Sequence, residues 1–115
     1  MRSYIIKLLL IGITMFITNQ CFADLISCGP REIIELYVQA DRDDNYPHEN
    51  KLVIVFDGSC NGKSQAYIEN THPAYSGLLS TALMAFSTNI PVGSYINSSL
   101  TIGQANQLSI LALKK

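Results

Sequence analysis

Residues 75–86 form the only segment of the sequence in which apolar residues recur with helical spacing over several turns. The apolar side chains are three or four positions apart, which places them on one side of a helix; they are Tyr75, Leu78, Leu79, Ala82, Leu83 and Phe86. Pro73 suits the first helical position, and Asn89 and Pro91 mark the end. Because the other apolar segments alternate or are rich in β-branched residues, the sequence predicts a mainly β fold with one helix.

Five segments have the alternation or the β-branched composition of strands. They are residues 31–39, 51–56, 65–69, 92–97 and 107–113. The predicted helix falls between the third and the fourth, so the predicted order is β-β-β-α-β-β. This is the order of the OB-fold, a five-stranded antiparallel barrel. We therefore predict an OB-like barrel of the α+β, mainly β class, with its helix between strands 3 and 4. A five-stranded α+β sandwich has the same order and remains an alternative.

The first 23 residues have the layout of a secretory signal peptide. Arg2 and Lys7 precede an apolar run of 11 residues, 8–18, and Cys21 and Ala23 occupy the −3 and −1 positions of a cleavage site. A helix of that length rises about 16 Å, whereas a hydrocarbon core is about 30 Å thick. The sequence predicts a signal peptide at 1–23, a single exported domain at 24–115, and no permanent membrane anchor. Lipidation of Cys21 is the alternative.

The predicted cleavage changes both the cysteine count and the charge. Cys28 and Cys60 are the two cysteines that remain. An even number in a small exported chain predicts a disulfide; two free buried thiols are the alternative. Two of the eight basic residues and none of the nine acidic ones are removed, so the net charge becomes −3. This balance lacks the basic excess of a nucleic-acid-binding protein, and no nucleic-acid partner is expected.

Charge is absent from most of the second half of the chain. None of the 44 residues from 70 to 113 is Asp, Glu, Lys or Arg. The helix side opposite the apolar stripe carries small uncharged residues and a methionine, namely Ser76, Ser80, Thr81, Met84 and Ser87. Such residues either serve solubility or are covered by a partner, because the cores of interfaces are depleted in charge. A homo-oligomer that packs this helix face is the simplest form of the second interpretation.

The sequence contains none of the common catalytic motifs, such as GxSxG, HExxH, a P-loop or GxGxxG. Asp41, Asp43 and Asn45 resemble the first three ligands of a calcium loop. However, Tyr46 stands where that loop has glycine, and Leu52 stands where it has the bidentate glutamate. We expect no cofactor, no metal and no enzymatic activity.

Binding of a hydroxyl-rich ligand is the better prospect. Two tyrosines on predicted strands lie near amide and hydroxyl side chains; the set is Tyr67, Asn70, Tyr95, Asn97, Ser98 and Ser99. A tyrosine ring packs on the apolar side of a sugar, and amides and hydroxyls bind its hydroxyl groups. These residues are therefore the candidate glycan site, and the alternative is that the tyrosines only pack at the edges of the barrel.

The overall layout resembles a known family. The segments that carry the resemblance are the hairpin 52–69, the helix 74–89, and the strands 93–99 and 107–113. In their order, and with the signal peptide and the cysteine pair, they look like the small exported OB-fold B subunits of bacterial AB5 enterotoxins. The resemblance implies ring pentamers whose helices line a central pore, and binding of cell-surface glycans. A secreted or periplasmic protein-interaction or inhibitory protein without glycan binding is the alternative function.

Overall fold

The computed structural model describes residues 24–114. The predicted signal peptide, residues 1–23, lies outside the described residues. Six strands and one helix follow in chain order: β1 (Leu25–Arg31), β2 (Ile33–Gln39), β3 (Lys51–Cys60), β4 (Lys63–Glu69), α1 (Tyr75–Thr88), β5 (Val92–Ile102) and β6 (Ala105–Leu113).

The six strands form one mixed sheet in the order β1-β5-β6-β4-β3-β2. Neighbouring strands are antiparallel except β4 and β6, which are parallel. The prediction of a five-stranded antiparallel barrel with its helix between strands 3 and 4 is therefore wrong. The sheet has six strands, it is not closed into a barrel, and the helix follows the fourth strand. β1 was not predicted from the sequence because Gly29 and Pro30 interrupt its strand pattern.

The two ends of the sheet are consecutive in the chain. Only Glu32 separates β1 from β2, so the sheet curls strongly between its first and last strands. The backbone N–H of Asp57 donates to the Glu32 carbonyl at 3.0 Å. The Glu32 N–H donates in return to Oδ1 of Asp57 at 3.1 Å. The predicted disulfide is confirmed, since Cys28 of β1 is bonded to Cys60 at the end of β3.

The helix covers one face of the sheet and forms the main core with it. Its buried residues are Leu78, Ala82 and Ala85, and they pack on apolar side chains of β2, β3, β4, β5 and β6. Leu83 and Phe86 of the predicted stripe are instead 50% and 44% exposed. The buried side of the helix thus includes Leu78 and Ala82 as predicted but is rotated toward Ala85 and away from Leu83 and Phe86.

The opposite face is buried mainly over β2, β3 and β4 and where the β5–β6 hairpin tip meets them. Val53 and Tyr67 form a second cluster there with Ala105, and Tyr37 and Ile102 pack against it. The loop between β2 and β3 adds the buried His48, whose Nε2 lies 3.0 Å from the carbonyl oxygen of Ile102. Because a carbonyl oxygen only accepts, Nε2 carries the hydrogen. This bond joins the loop to the tip of the β5–β6 hairpin, and together they cover this half of the sheet.

Candidate functional site

A single row of paired residues crosses all six strands on the face opposite the helix. From one end of the sheet to the other, the row is Tyr37, Val53, Tyr67, Gln107, Asn97 and Leu25. Val53 is 0% exposed in the covered half, whereas Leu25 at the far end is 49% exposed. The row therefore passes from a buried cluster to an uncovered surface.

We call the uncovered part the open face, formed by Leu25 and Ser27 of β1, Tyr95 and Asn97 of β5, and Gln107 and Ile110 of β6. Tyr95 is paired with Ser27 on one side and with Ile110 on the other. Its side chain is 38% exposed. The neighbouring residues of β5 and β6, Ile96 and Leu108, are paired and buried, and Leu108 belongs to the core on the helix side. The alternation of the strands thus presents a tyrosine, an isoleucine and a serine together.

Two amide side chains lie beside Tyr95 on the open face. Nδ2 of Asn97 donates to Oε1 of Gln107 at 2.7 Å. This bond uses one donor of Asn97 and one acceptor of Gln107. It fixes the orientation of both groups and leaves the Asn97 carbonyl and the Gln107 amide nitrogen for further hydrogen bonds. An oriented acceptor and an oriented donor are therefore present next to an aromatic ring.

A cavity of about 300 Å³ lies at one end of the open face, beside Tyr95. It exists because Cys28 pairs with Ser94 and Arg31 with Val92, so that Gly29 and Pro30 together face Gly93 in a bulge. The lining residues are Ser27, Cys28, Gly29, Pro30, Gly93, Ser94, Tyr95, Ala112 and Lys114. The wall is therefore mostly backbone, small side chains and one aromatic ring.

Gly93 allows the Lys114 side chain to lie across the cavity wall. A Cβ atom at position 93 would lie 2.6 Å from Cε of Lys114, which is closer than such atoms approach. A side chain at position 93 would displace the lysine from this place. Lys114 is the only basic residue among those that line the cavity.

Arg31 supports the cavity from the side of the core. Its Nη2 donates to Oγ of Ser94 at 3.1 Å, and its Nη1 donates to the carbonyl of Gly58 at 2.8 Å. The guanidinium lies 3.9 Å from the centre of the Phe56 ring. Desolvation lowers the pKa of Arg31, and the negative charge of Asp57 opposes this effect. Arg31 thus joins three strands at the point where β1 bulges, and it fixes the hydroxyl of Ser94.

The predicted binding residues separate into two groups. Tyr95 and Asn97 are neighbours on the open face, and Ser98 lies next to them, with its Oγ accepting from the backbone N–H of Asp24 at 3.0 Å. Ser99 follows in β5 and is exposed. Tyr67 is on the same row but is buried, and burial raises its pKa.

Asn70 lies at the end of β4, in the covered half of the sheet, where its N–H donates to the carbonyl of Asn50. It is therefore not part of the open face. Four residues of the open face were not predicted from the sequence, namely Leu25, Ser27, Gln107 and Ile110. The partial signal for Gln107 and Ile110 is the alternation of β6, but only the pairing of β5 with β6 places them beside Tyr95.

The small residues of the predicted oligomer helix face are mostly exposed. Ser76, Ser80, Met84 and Ser87 are exposed, and Thr81 is half-buried. Two of these hydroxyls are used within the helix, since Thr81 Oγ1 donates to the Gly77 carbonyl at 3.0 Å and Ser87 Oγ donates to the Leu83 carbonyl at 2.7 Å. These bonds lower the polarity that the helix presents outward.

The acidic loop between β2 and β3 uses its carboxylates for local contacts. Oδ1 of Asp41 accepts from Nδ2 of Asn50 at 2.6 Å, and Asp44 forms an ion pair with Arg42. Across residues 24–114, no three His, Cys, Asp or Glu side chains are grouped as ligands of a metal ion. Within the same residues, the structure contains no helix whose length and hydropathy would suit a membrane span.

The chain matches no family model, and neither the curated proteins nor the solved structures contain a significantly similar one.

Proposed function

We propose that the protein is an exported, non-catalytic module that binds glycans through the open face. The observation that carries the proposal is the position of Tyr95 directly beside the hydrogen-bonded pair of Asn97 and Gln107. The exposed ring packs against the apolar side of a sugar. The carbonyl of Asn97 and the amide nitrogen of Gln107 bind hydroxyl groups at the sugar's edge.

The cavity next to Tyr95 supports the same function. Its volume of about 300 Å³ is at the lower end of the range of about 300–1,000 Å³ for small-molecule sites. A second sugar unit, or a substituent of the first, enters this cavity and meets the hydroxyl of Ser27, which shares the face of Tyr95. The site is thus a shallow aromatic surface that continues into a deeper recess.

Export and the resemblance to toxin B subunits belong to the proposal as well. The disulfide between Cys28 and Cys60 fits a protein that folds in an oxidising compartment, such as the periplasm or the cell exterior. A glycan-binding subunit of the enterotoxin type acts outside the cell and needs no catalytic group of its own.

A glycan array with the purified protein tests this proposal. We expect binding to a limited set of glycans, and a loss of at least about fivefold in affinity for Tyr95→Ala, because stacking on an aromatic ring contributes on the order of 1 kcal/mol or more. Tyr46→Ala is the matched control, since Tyr46 is also an exposed tyrosine but lies in the β2–β3 loop. An array without any bound glycan, or equal binding by both variants, would contradict the proposal.

A second candidate function is protein binding through the helix, as an interaction or inhibitory protein. Leu83, Met84 and Phe86 are about half exposed on a helix that carries no charged residue. Exposed apolar side chains without charge are typical of the core of an interface. In a binding assay with a protein ligand, Ser80→Arg would abolish binding, whereas Ser109→Arg on β6 would not. Equal binding by the two variants would exclude the helix as the contact.

A further inference from the structure

The two strands at the ends of the sheet differ in how they are protected from pairing with another strand. β1 contains Pro30, which has no N–H to donate, and Gly29 beside it in the bulge. Proline, bulges and charges are the usual protection of an edge strand. β2 contains neither glycine nor proline, its register shift lies at its start, before Glu35, Glu35 is its single charged residue, and its Val38 is 54% exposed. The edge at β2 is therefore open for strand addition, whereas the edge at β1 is not.

The regular part of β2 is the segment from Glu35 to Gln39. These five residues pair with β3 without interruption, and the register shift lies between Ile33 and Glu35. Leu36 and Val38 point to the helix side, where Leu36 packs against the main core. Glu35, Tyr37 and Gln39 alternate with them and point to the other side. The segment is thus apolar on one side and polar on the other.

This segment is complementary to itself in an antiparallel arrangement. When two copies pair about a twofold axis at Tyr37, Leu36 of one lies opposite Val38 of the other, on the apolar side. On the polar side, Tyr37 meets its own equivalent and Glu35 lies opposite Gln39. Every opposed pair is compatible, and no two like charges face each other.

The surroundings of β2 suit a second copy of the chain. The helix packs against β2 and carries no charged residue in its 14 positions. The helix therefore presents no charge that would repel a second copy next to β2. We infer that the β2 edge pairs with the β2 edge of a second copy, so that two six-stranded sheets join into one continuous sheet about a twofold axis.

Such a contact has a definite consequence for assembly. It uses the same surface on both copies, so it is complete with two chains. A ring of the enterotoxin type requires instead a contact between two different surfaces, and the protected β1 edge does not supply a strand partner for β2. The contact lies at the opposite end of the sheet order from the open face. It shares no residue with the open face.

The mass of the purified protein, measured by size exclusion with light scattering at tens of micromolar, tests this inference. We expect a dimer. Val38→Lys places a charge among the apolar side chains of the paired edge, and we expect it to weaken the dimer at least about tenfold. Leu25→Lys on the β1 edge is the matched control and leaves the dimer intact. Circular dichroism and a thiol assay confirm that each variant is folded with its disulfide formed.

The predicted register has its own test. Gln39→Glu places two carboxylates opposite each other across the twofold axis and weakens the dimer. Adding Glu35→Lys to this variant restores the dimer, because a lysine then faces a glutamate at both places. A monomeric or pentameric wild-type protein, a dimer that responds to Leu25→Lys but not to Val38→Lys, or a double variant without restoration would overturn the inference.

Discussion

The covered half of the sheet, β2 with β3 and β4, differs from the bare half, β1 with β5 and β6, on the face away from the helix. In the covered half, consecutive residues of β3 are buried on both sides, as Leu52, Val53 and Ile54 demonstrate. In the bare half, every second residue of β5 near Tyr95 faces outward. The difference shows that burial on this face comes from the loop with His48 and the β5–β6 hairpin tip, which lie over one half only.

The largest expected effect on stability is a difference between the two halves when an isoleucine is replaced by alanine in each. Ile54→Ala removes a buried side chain of β3 and leaves a cavity, so we expect a loss of about 2–5 kcal/mol in the free energy of unfolding. Ile110→Ala on the open face removes a side chain that is already partly hydrated, and we expect a change within about 1 kcal/mol. Urea unfolding of both variants measures the difference. Similar losses would mean that the open face is buried in solution.

The disulfide joins the two halves, and its removal tests whether they unfold together. Replacing Cys28 and Cys60 by serine releases a link between residues 32 positions apart. From chain entropy we expect a loss of about 3–4 kcal/mol. Urea unfolding followed by tyrosine fluorescence and by circular dichroism measures this loss. A change below about 1 kcal/mol would show that the other contacts between β1 and β3 are sufficient.

The cover over β2, β3 and β4 depends on His48. His48→Ala removes the hydrogen bond to the Ile102 carbonyl and the packing against Gly103. We expect a loss of about 1–3 kcal/mol, since the carbonyl loses its partner and a small cavity forms. Hydrogen exchange should become faster at Val53 and Tyr67 but not at Tyr95. Uniform exchange in both halves would contradict a local cover.

The smallest expected effect is a dependence of the protein's stability on pH in the alkaline range. Burial, and then the charge of Glu69, raises the pKa of Tyr67 above its ordinary value. A raised pKa in the folded protein means full stability below about pH 10, the ordinary tyrosine pKa, and a loss of stability as the pH rises beyond it. We therefore expect the Tm of Tyr67→Phe to fall less steeply above that pH than the wild-type Tm. Identical pH profiles would argue against the burial of this hydroxyl.

Particular residues illustrate which parts of the fold could be predicted. The apolar run 51–56 and the stripe around Leu78 carry strong periodic signals, and the strand β3 and the helix are where these signals place them. β1 could not be predicted, because Gly29 and Pro30 interrupt its pattern and only its pairing with β5 makes it a strand. The prediction that Leu83 lies on the buried side of the helix was wrong for a similar reason. Packing against the sheet determines which side of a broadly apolar helix is buried.

The candidate site was predicted only in part. Tyr95 and Asn97 stand two positions apart on one strand, so their common side follows from alternation alone. Tyr67 is also a strand tyrosine near an asparagine, but it lies under the loop that contains His48. That loop is held in place by the hydrogen bond between His48 and Ile102, which are 54 positions apart. Gln107 joins the site through cross-strand pairing, which no local pattern in the sequence specifies.

The sequence by itself determined a mainly β chain with one helix, because this follows from local periodicity, and it predicted the pairing of Cys28 with Cys60, which are the two cysteines outside the predicted signal peptide. The tertiary structure decided the six-stranded order, the parallel pair β4–β6, and the division into a covered and a bare half. The physical reason is that strand order and coverage depend on contacts between distant segments. The energies of these contacts are set by the shape of the whole fold and not by any one segment.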